Sequence, residues 1–169
     1  MSRFLPFAIA VLYATFASGD VPWQATLDGI GPVRIGMTVA EAELALQRRL
    51  VSEWPEEPDN SCAYYSARPA IEGLAFMVVG GRVVRYDVHD LTVRTKSGVA
   101  VGDPVARVRG IYGRRLEVMP HFYSGPDESY LTLWSKDRKT AIRFETREGK
   151  VGTFYAGYAE QVQYVEGCL

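Results

Sequence analysis

Few residues in this chain carry chemistry on their own. There are two histidines in 169 residues. His89 ends an alternating stretch and is followed by Asp90, and His121 sits in "MPHFYS". A serine or cysteine nucleophile needs a histidine base held by a third group. Ser66 and Ser124 fall at strand ends, outside the G-x-S-x-G turn that exposes such a nucleophile. Zinc needs three or four closely spaced ligands, which two distant histidines and two cysteines do not supply. The acidic segments 56–60 (EEPDN) and 126–129 (PDES) offer oxygens to calcium, but neither has the calcium-loop pattern, and both read as solvated turns. Paired carboxylates such as Asp87 and Glu145 would suit glycoside hydrolysis, but spacing alone does not bring them together. Residues 29–32 (GIGP) are only a fragment of a phosphate loop. The residues therefore predict no catalytic, cofactor or metal site. A small hydrolase using carboxylates stays as an alternative.

Compartment is more legible. Arg3 is followed by a mostly apolar run from Phe4 to Ala17, then by Ala17-Ser18-Gly19. Charge, apolar run and small residues at −3 and −1 make a secretory signal peptide, residues 1–19, with the cut expected after Gly19. The run is shorter than the roughly 20 residues that span a bilayer as a helix. No cysteine lies near the cut to carry a lipid, and no later stretch is long and apolar enough to cross a membrane. Periplasmic or secreted localisation is expected. Removing residues 1–19 takes away Arg3, leaving 18 basic against 20 acidic residues, a formal charge of −2. That balance gives no steering toward nucleic acid. In an oxidising compartment Cys62 and Cys168 are expected to form a disulfide, worth about 4–5 kcal/mol on the chain-entropy model; two separate buried thiols are the alternative.

The elements that must position these groups follow from periodicity. Thr38 and Glu41 form a T-x-x-E capping box ahead of a helix with Val39, Ala42, Leu46 and Leu50 on one stripe. Strands are predicted in "CAYYSA" and in "LAFMVV" and "RVVRYDVH", the last two joined by Gly80-Gly81 as a hairpin. The pattern then restarts. Asp103 is a candidate cap with Pro104 first in the helix, Val105, Val108, Ile111 and Tyr112 form the stripe, and Gly113 stops it. Four strands follow: "LEVMPHFYS", "SYLTLWS", "TAIRFET" and "GTFYAGY".

Val33, Ile35, Gly36, Val39 and Ala42 match Val99, Val101, Gly102, Val105 and Val108 at an offset of 66, and Gly81-Arg82-Val83 matches Gly149-Lys150-Val151 at 68. Ordered matches at nearly one offset suggest an internal repeat. The fold expected is α+β: two tandem helix-plus-antiparallel-sheet units, 20–94 and 95–169, forming one two-layer domain with a concave open sheet face.

The stretch "GPVRIGMTVAEAELAL" resembles the helix start of the small outer-membrane-assembly lipoproteins, and the duplicated arrangement resembles the beta-lactamase-inhibitory-protein-like fold. The resemblance implies two helix-plus-sheet units side by side, and an inhibitor-like or envelope-assembly role. The lipoproteins' lipidated cysteine has no counterpart here, and no inhibitor contact residue carries over.

Strand parity directs attention to the sheet. With Gly80-Gly81 as a two-residue turn, Phe76, Val78 and Val83 share one face, and Met77, Val79, Val84 and Tyr86 the other. A sheet backed by helices on one side is expected to be polar on the other. Either loops, the other half or a β-bulge covers the second apolar face, or it meets a partner. Of its 10 tyrosines several fall in strands, where they would anchor a protein partner. The expected function is non-enzymatic protein binding through that open face.

Overall fold

A computed structural model describes residues 23–53 and 62–168. The proposed signal peptide and the 56–60 acidic segment lie outside them. In chain order the elements are β1 (Gln24–Thr26), β2 (Gly29–Ile30), β3 (Val33–Arg34), α1 (Val39–Leu46), β4 (Arg49–Ser52), β5 (Ala63–Arg68), β6 (Leu74–Val79), β7 (Arg82–Val88) and β8 (Arg94–Thr95). There follow α2 (Val105–Tyr112), β9 (Leu116–Pro120), β10 (Ser129–Trp134), β11 (Thr140–Arg147) and β12 (Lys150–Tyr158). The class is mixed α+β and rich in sheet. Eight strands form one antiparallel sheet in the order β4-β5-β6-β7-β12-β11-β10-β9, and four short ones form a second, β3-β2-β1-β8. Among the described residues no helix is long and apolar enough to cross a membrane.

The first helix begins as its sequence dictates. The Glu41 N–H donates to the Thr38 hydroxyl, and the Glu41 carboxylate accepts from the Thr38 N–H at 2.8 Å, so both free backbone donors are satisfied. It ends earlier than its apolar stripe suggests. Gln47 turns left-handed at φ 52°, and Leu50 belongs to β4 instead. The second helix has no side-chain cap. Asp103 turns back, accepting from the Ala100 N–H at 2.9 Å and the Arg107 Nε at 3.1 Å, and Pro104 takes the cap position.

Each helix start is clipped to a hairpin. The Gly36 N–H donates to Val83 O, the Val83 N–H to Met37 O, and the Val39 N–H to Gly81 O. Likewise the Gly102 N–H donates to Val151 O, the Val151 N–H to Asp103 O, and the Val105 N–H to Gly149 O. Gly36 and Gly102 reach this geometry at φ 93° and 85°, a region costly for any residue with a Cβ.

The main core lies between the helices and one face of the large sheet. Phe76, Val78, Val83, Tyr86, Val88, Leu131, Ile142, Phe144 and Phe154 meet Ala42, Leu46, Val108 and Tyr112 there. Each large apolar side chain buried in this layer contributes about 1.5–3 kcal/mol.

One irregularity decides which β7 residues join that core. Phe76 pairs with Tyr86 and Met77 with Arg85, but Val78 pairs with Val83, so Val84 is an extra, bulged residue. Simple alternation puts Tyr86 with Met77, Val79 and Val84. The bulge instead sends Tyr86 into the helix-side core, where its hydroxyl donates to Thr26 O at 2.6 Å. Arg85 and Asp87 are turned to the opposite face.

Candidate functional site

The opposite face can be read in rows across the sheet. One row runs Ala75, Asp87, Tyr155, Arg143, Thr132, in register from β6 to β10. The row beside it on one side is Tyr64, Met77, Arg85, Gly157, Ala141, Trp134. On the other side Thr153, Glu145 and Tyr130 follow. Gly157 is obligatory under Arg85: a Cβ there would stand 2.2 Å from Val84 O and 2.6 Å from the Arg85 Cα.

Part of this face is sealed by the chain's own C-terminus. Val162 packs with Ala141, Tyr155 and Trp134, while Tyr164 and Cys168 pack on Met77 and Val84. Cys62 and Cys168 are joined by a disulfide, as the cysteine count predicts, and this fixes the segment beside β5. The bond fits an oxidising compartment. The Arg85 guanidinium secures the middle of the segment, donating to Gln161 O and Tyr164 O at 3.0 Å each.

Arg85 also grips Asp87. Its Nε lies 3.1 Å from both carboxylate oxygens, and a second guanidinium nitrogen contacts Asp87 Oδ1. The guanidinium carbon sits 3.6 Å above the Tyr155 ring centre, a cation–π contact. Burial works against the charge on Arg85, but the Asp87 carboxylate outweighs it and holds the guanidinium above its usual range. Burial pushes Asp87 up, against the pull of Arg85.

Beyond the sealed part the face opens into two adjoining clefts of about 470 and 480 Å³. They share His89, Glu145 and Thr153 as lining residues. The first is bounded by Glu53, Tyr64 and Tyr155, with the segment Val165, Glu166 and Gly167 as a wall; His121, Ser124 and Arg147 bound the second. Glu145 stands at the junction. Its Oε1 accepts from the Tyr155 hydroxyl at 2.8 Å, and its Oε2 faces His121 Nε2 at 3.5 Å. His121 Nδ1 accepts the backbone N–H groups of Tyr123 and Ser124, so in the neutral ring the proton sits on Nε2 and points to Glu145. The imidazole is stacked on Tyr130 at 4.4 Å, and Arg143 lies over the same ring at 4.9 Å. Burial, then the Glu145 charge, pushes the Tyr155 phenol up; burial and Asp87 push Tyr64 up to about 12. The Tyr123 hydroxyl donates to Glu166, so the loop after β9 touches the C-terminal segment.

The sequence candidates fall into place unevenly. Asp87, Glu145, His89 and His121 all line this connected space, a convergence that spacing along the chain does not reveal. Ser66 is elsewhere in purpose: its hydroxyl donates to Glu53 at 2.9 Å. Ser124 meets His121 through its backbone N–H. Glu128 of the 126–129 segment accepts from the Thr146 hydroxyl and the Glu148 N–H, tying that turn to the β11–β12 hairpin. Among the described residues no group of three or more His, Cys, Asp or Glu is placed to hold a metal ion. Sequence reading missed Arg85; it offered loops as one cover for this face and a disulfide at Cys168, but did not assign the covering to residues 161–168. The only signal was the mixed parity of β7, an arginine and an aspartate two apart among apolar residues.

No protein-family model matches the chain, and no curated protein matches it. Among solved structures, the uncharacterised protein YfeY of Escherichia coli is similar, with a TM-score of 0.51 and 11% identity over 80% of this chain and 99% of that one. At that identity the likeness concerns the fold alone.

Proposed function

We propose that this chain is a non-enzymatic exported protein that binds another protein through the sheet face opposite the helices. The observation that carries this reading is the division of that face. One part is sealed by the disulfide-held C-terminal segment, and the other is left as two joined clefts floored by Glu145 and bordered by Tyr64, Tyr155 and His121. Tyr64 is part-exposed and offers contact area with a polar tip, the composition that anchors protein interfaces, while the buried Tyr155 holds Glu145 in place. Carboxylate catalysis is less well supported. Both Asp87 oxygens are occupied by Arg85, and the cleft's other two carboxylates, Glu53 and Glu166, accept from the Ser66 and Tyr123 hydroxyls, so no second acid stands paired with Glu145 to divide the general-acid and general-base roles. Export rests on the N-terminal charge and apolar pattern together with the disulfide.

The same reading takes the architecture as two tandem helix-plus-sheet units. The helix clips support it: the three bonds at Gly36, Met37 and Val39 recur at Gly102, Asp103 and Val105, and their hairpin partners Gly81 and Val83 recur at Gly149 and Val151.

The test is capture from periplasmic or culture fluid by the oxidised chain beginning at Asp20, beside a Glu145→Lys variant of equal stability. A protein held by the first and released by the second supports the reading. No specific capture, or capture indifferent to Glu145→Lys, overturns it.

A further inference from the structure

The cleft has a charge and a shape that select its occupant. Four carboxylates line its first part, Glu53, Asp87, Glu145 and Glu166, against one guanidinium, Arg85, which is committed to Asp87. Among the described residues Glu145 has no lysine or arginine partner; its contacts are the Tyr155 hydroxyl and His121. The same wall already shows how this protein seats a cation. Arg85 lies flat on Tyr155 with its nitrogens on a carboxylate and its remaining donors on two carbonyls. Glu145 repeats half of that arrangement: a fixed carboxylate beside a tyrosine, lining open space, with His121 at its second oxygen and no lysine or arginine in place.

Resting on the protein-binding reading above, we infer that the cleft receives a lysine or arginine side chain of the partner protein, its cationic head on Glu145 and its alkyl stem along Tyr64. An acidic side chain at the same place would set two carboxylates side by side, and a neutral one would strip water from Glu145 without supplying a balancing charge, which disfavours both. The preorganisation is built in. Tyr155 holds one carboxylate oxygen, and His121, itself fixed by two backbone N–H groups and by stacking on Tyr130, stands at the other.

The experiment is a two-dimensional NMR titration of the oxidised chain from Asp20 with the capped tripeptides Gly-Arg-Gly, Gly-Lys-Gly and Gly-Glu-Gly, and with spermidine. The inference expects the two basic peptides to shift the resonances of Glu145, Tyr155, His121 and Tyr64 at millimolar concentration. The acidic peptide should not, and Glu145→Gln should weaken the basic peptides about tenfold, as loss of one charge-assisted hydrogen bond does. Added salt should weaken them further. Equal shifts from the acidic peptide, or indifference to Glu145→Gln in a variant of unchanged spectrum elsewhere, overturns it. Spermidine binding at least tenfold tighter than either tripeptide also overturns it, because the cleft is then a free-polyamine site. If a partner is captured through this face while basic peptides leave Glu145 untouched, the cation inference falls and the protein-binding reading stands. If basic peptides bind at Glu145 and no partner is captured, the binding reading falls and takes the partner's side chain with it, and only a cation-selective cleft is left.

Discussion

Arg85 and Asp87 stand two residues apart on β7 and form an ion pair with side chains 6% and 7% exposed, directly beneath the C-terminal segment. The arrangement depends on the bulge at Val84, which turns both side chains to one face while Tyr86 between them enters the core. Two buried charges are tolerated because each is satisfied: the carboxylate by the guanidinium, and the guanidinium by the carboxylate, two backbone carbonyls and a tyrosine ring.

Removing one partner should therefore cost far more than removing both. Asp87→Leu or Arg85→Met is expected to lower unfolding stability by about 3–5 kcal/mol, because an uncompensated buried charge is left behind. The double variant Arg85→Met with Asp87→Leu should recover a large part of that loss. Urea denaturation of the four proteins measures the coupling, and additive single losses would disprove it.

The disulfide closes a loop with a sequence separation of 106 residues. Cys62→Ser with Cys168→Ser should lose about 4–5 kcal/mol through the greater freedom of the unfolded chain. Hydrogen exchange should rise first at residues 161–168, while the helix-side core keeps its protection. Uniform loss of protection would mean that the segment is not a separate covering layer.

Gly157 and Gly80 separate steric from conformational cost. Gly157→Ala drives a Cβ into Val84 O and the Arg85 backbone at the centre of the sheet, and should cost about 1–3 kcal/mol or more. Gly80 has φ 56° and nothing within 4 Å of a built Cβ, so Gly80→Ala should cost about 1 kcal/mol, for the left-handed backbone alone. Thermal unfolding of both variants gives the ordering.

The α1 cap sets part of the acid limb of stability. The Thr38 N–H and hydroxyl both donate to Glu41, holding its carboxyl below the usual carboxylate range. A depressed folded value means that the stabilisation is fully present above the carboxyl's unfolded value, and is lost as pH falls through the folded one. Glu41→Gln should flatten the stability-against-pH curve in that acid window and leave its slope at neutral pH unchanged. Thr38→Ala should cost about 1 kcal/mol at pH 7. An unchanged acid limb in Glu41→Gln would show that the box contributes nothing there.

The elements themselves were legible because their signals are local. The capping box at Thr38, the turn at Gly80-Gly81 and the apolar stripes each depend on residues within a few positions of one another. The cysteine pair was legible too, since two cysteines leave one possible pairing. The site was not legible in the same way. Asp87 and Glu145 were visible as carboxylates on strands, but their shared cleft exists because β7 pairs with β12 and β12 with β11, a long-range choice that no local pattern encodes. The face each side chain takes turned on one extra residue, Val84, since a strand has a period of two and a single insertion reverses every side chain beyond it. Local spacing determined the helix starts and the long hairpins; tertiary pairing drew Leu50 out of the first helix into β4, and decided that Arg85 would lock a tail and that Glu145 would line open space.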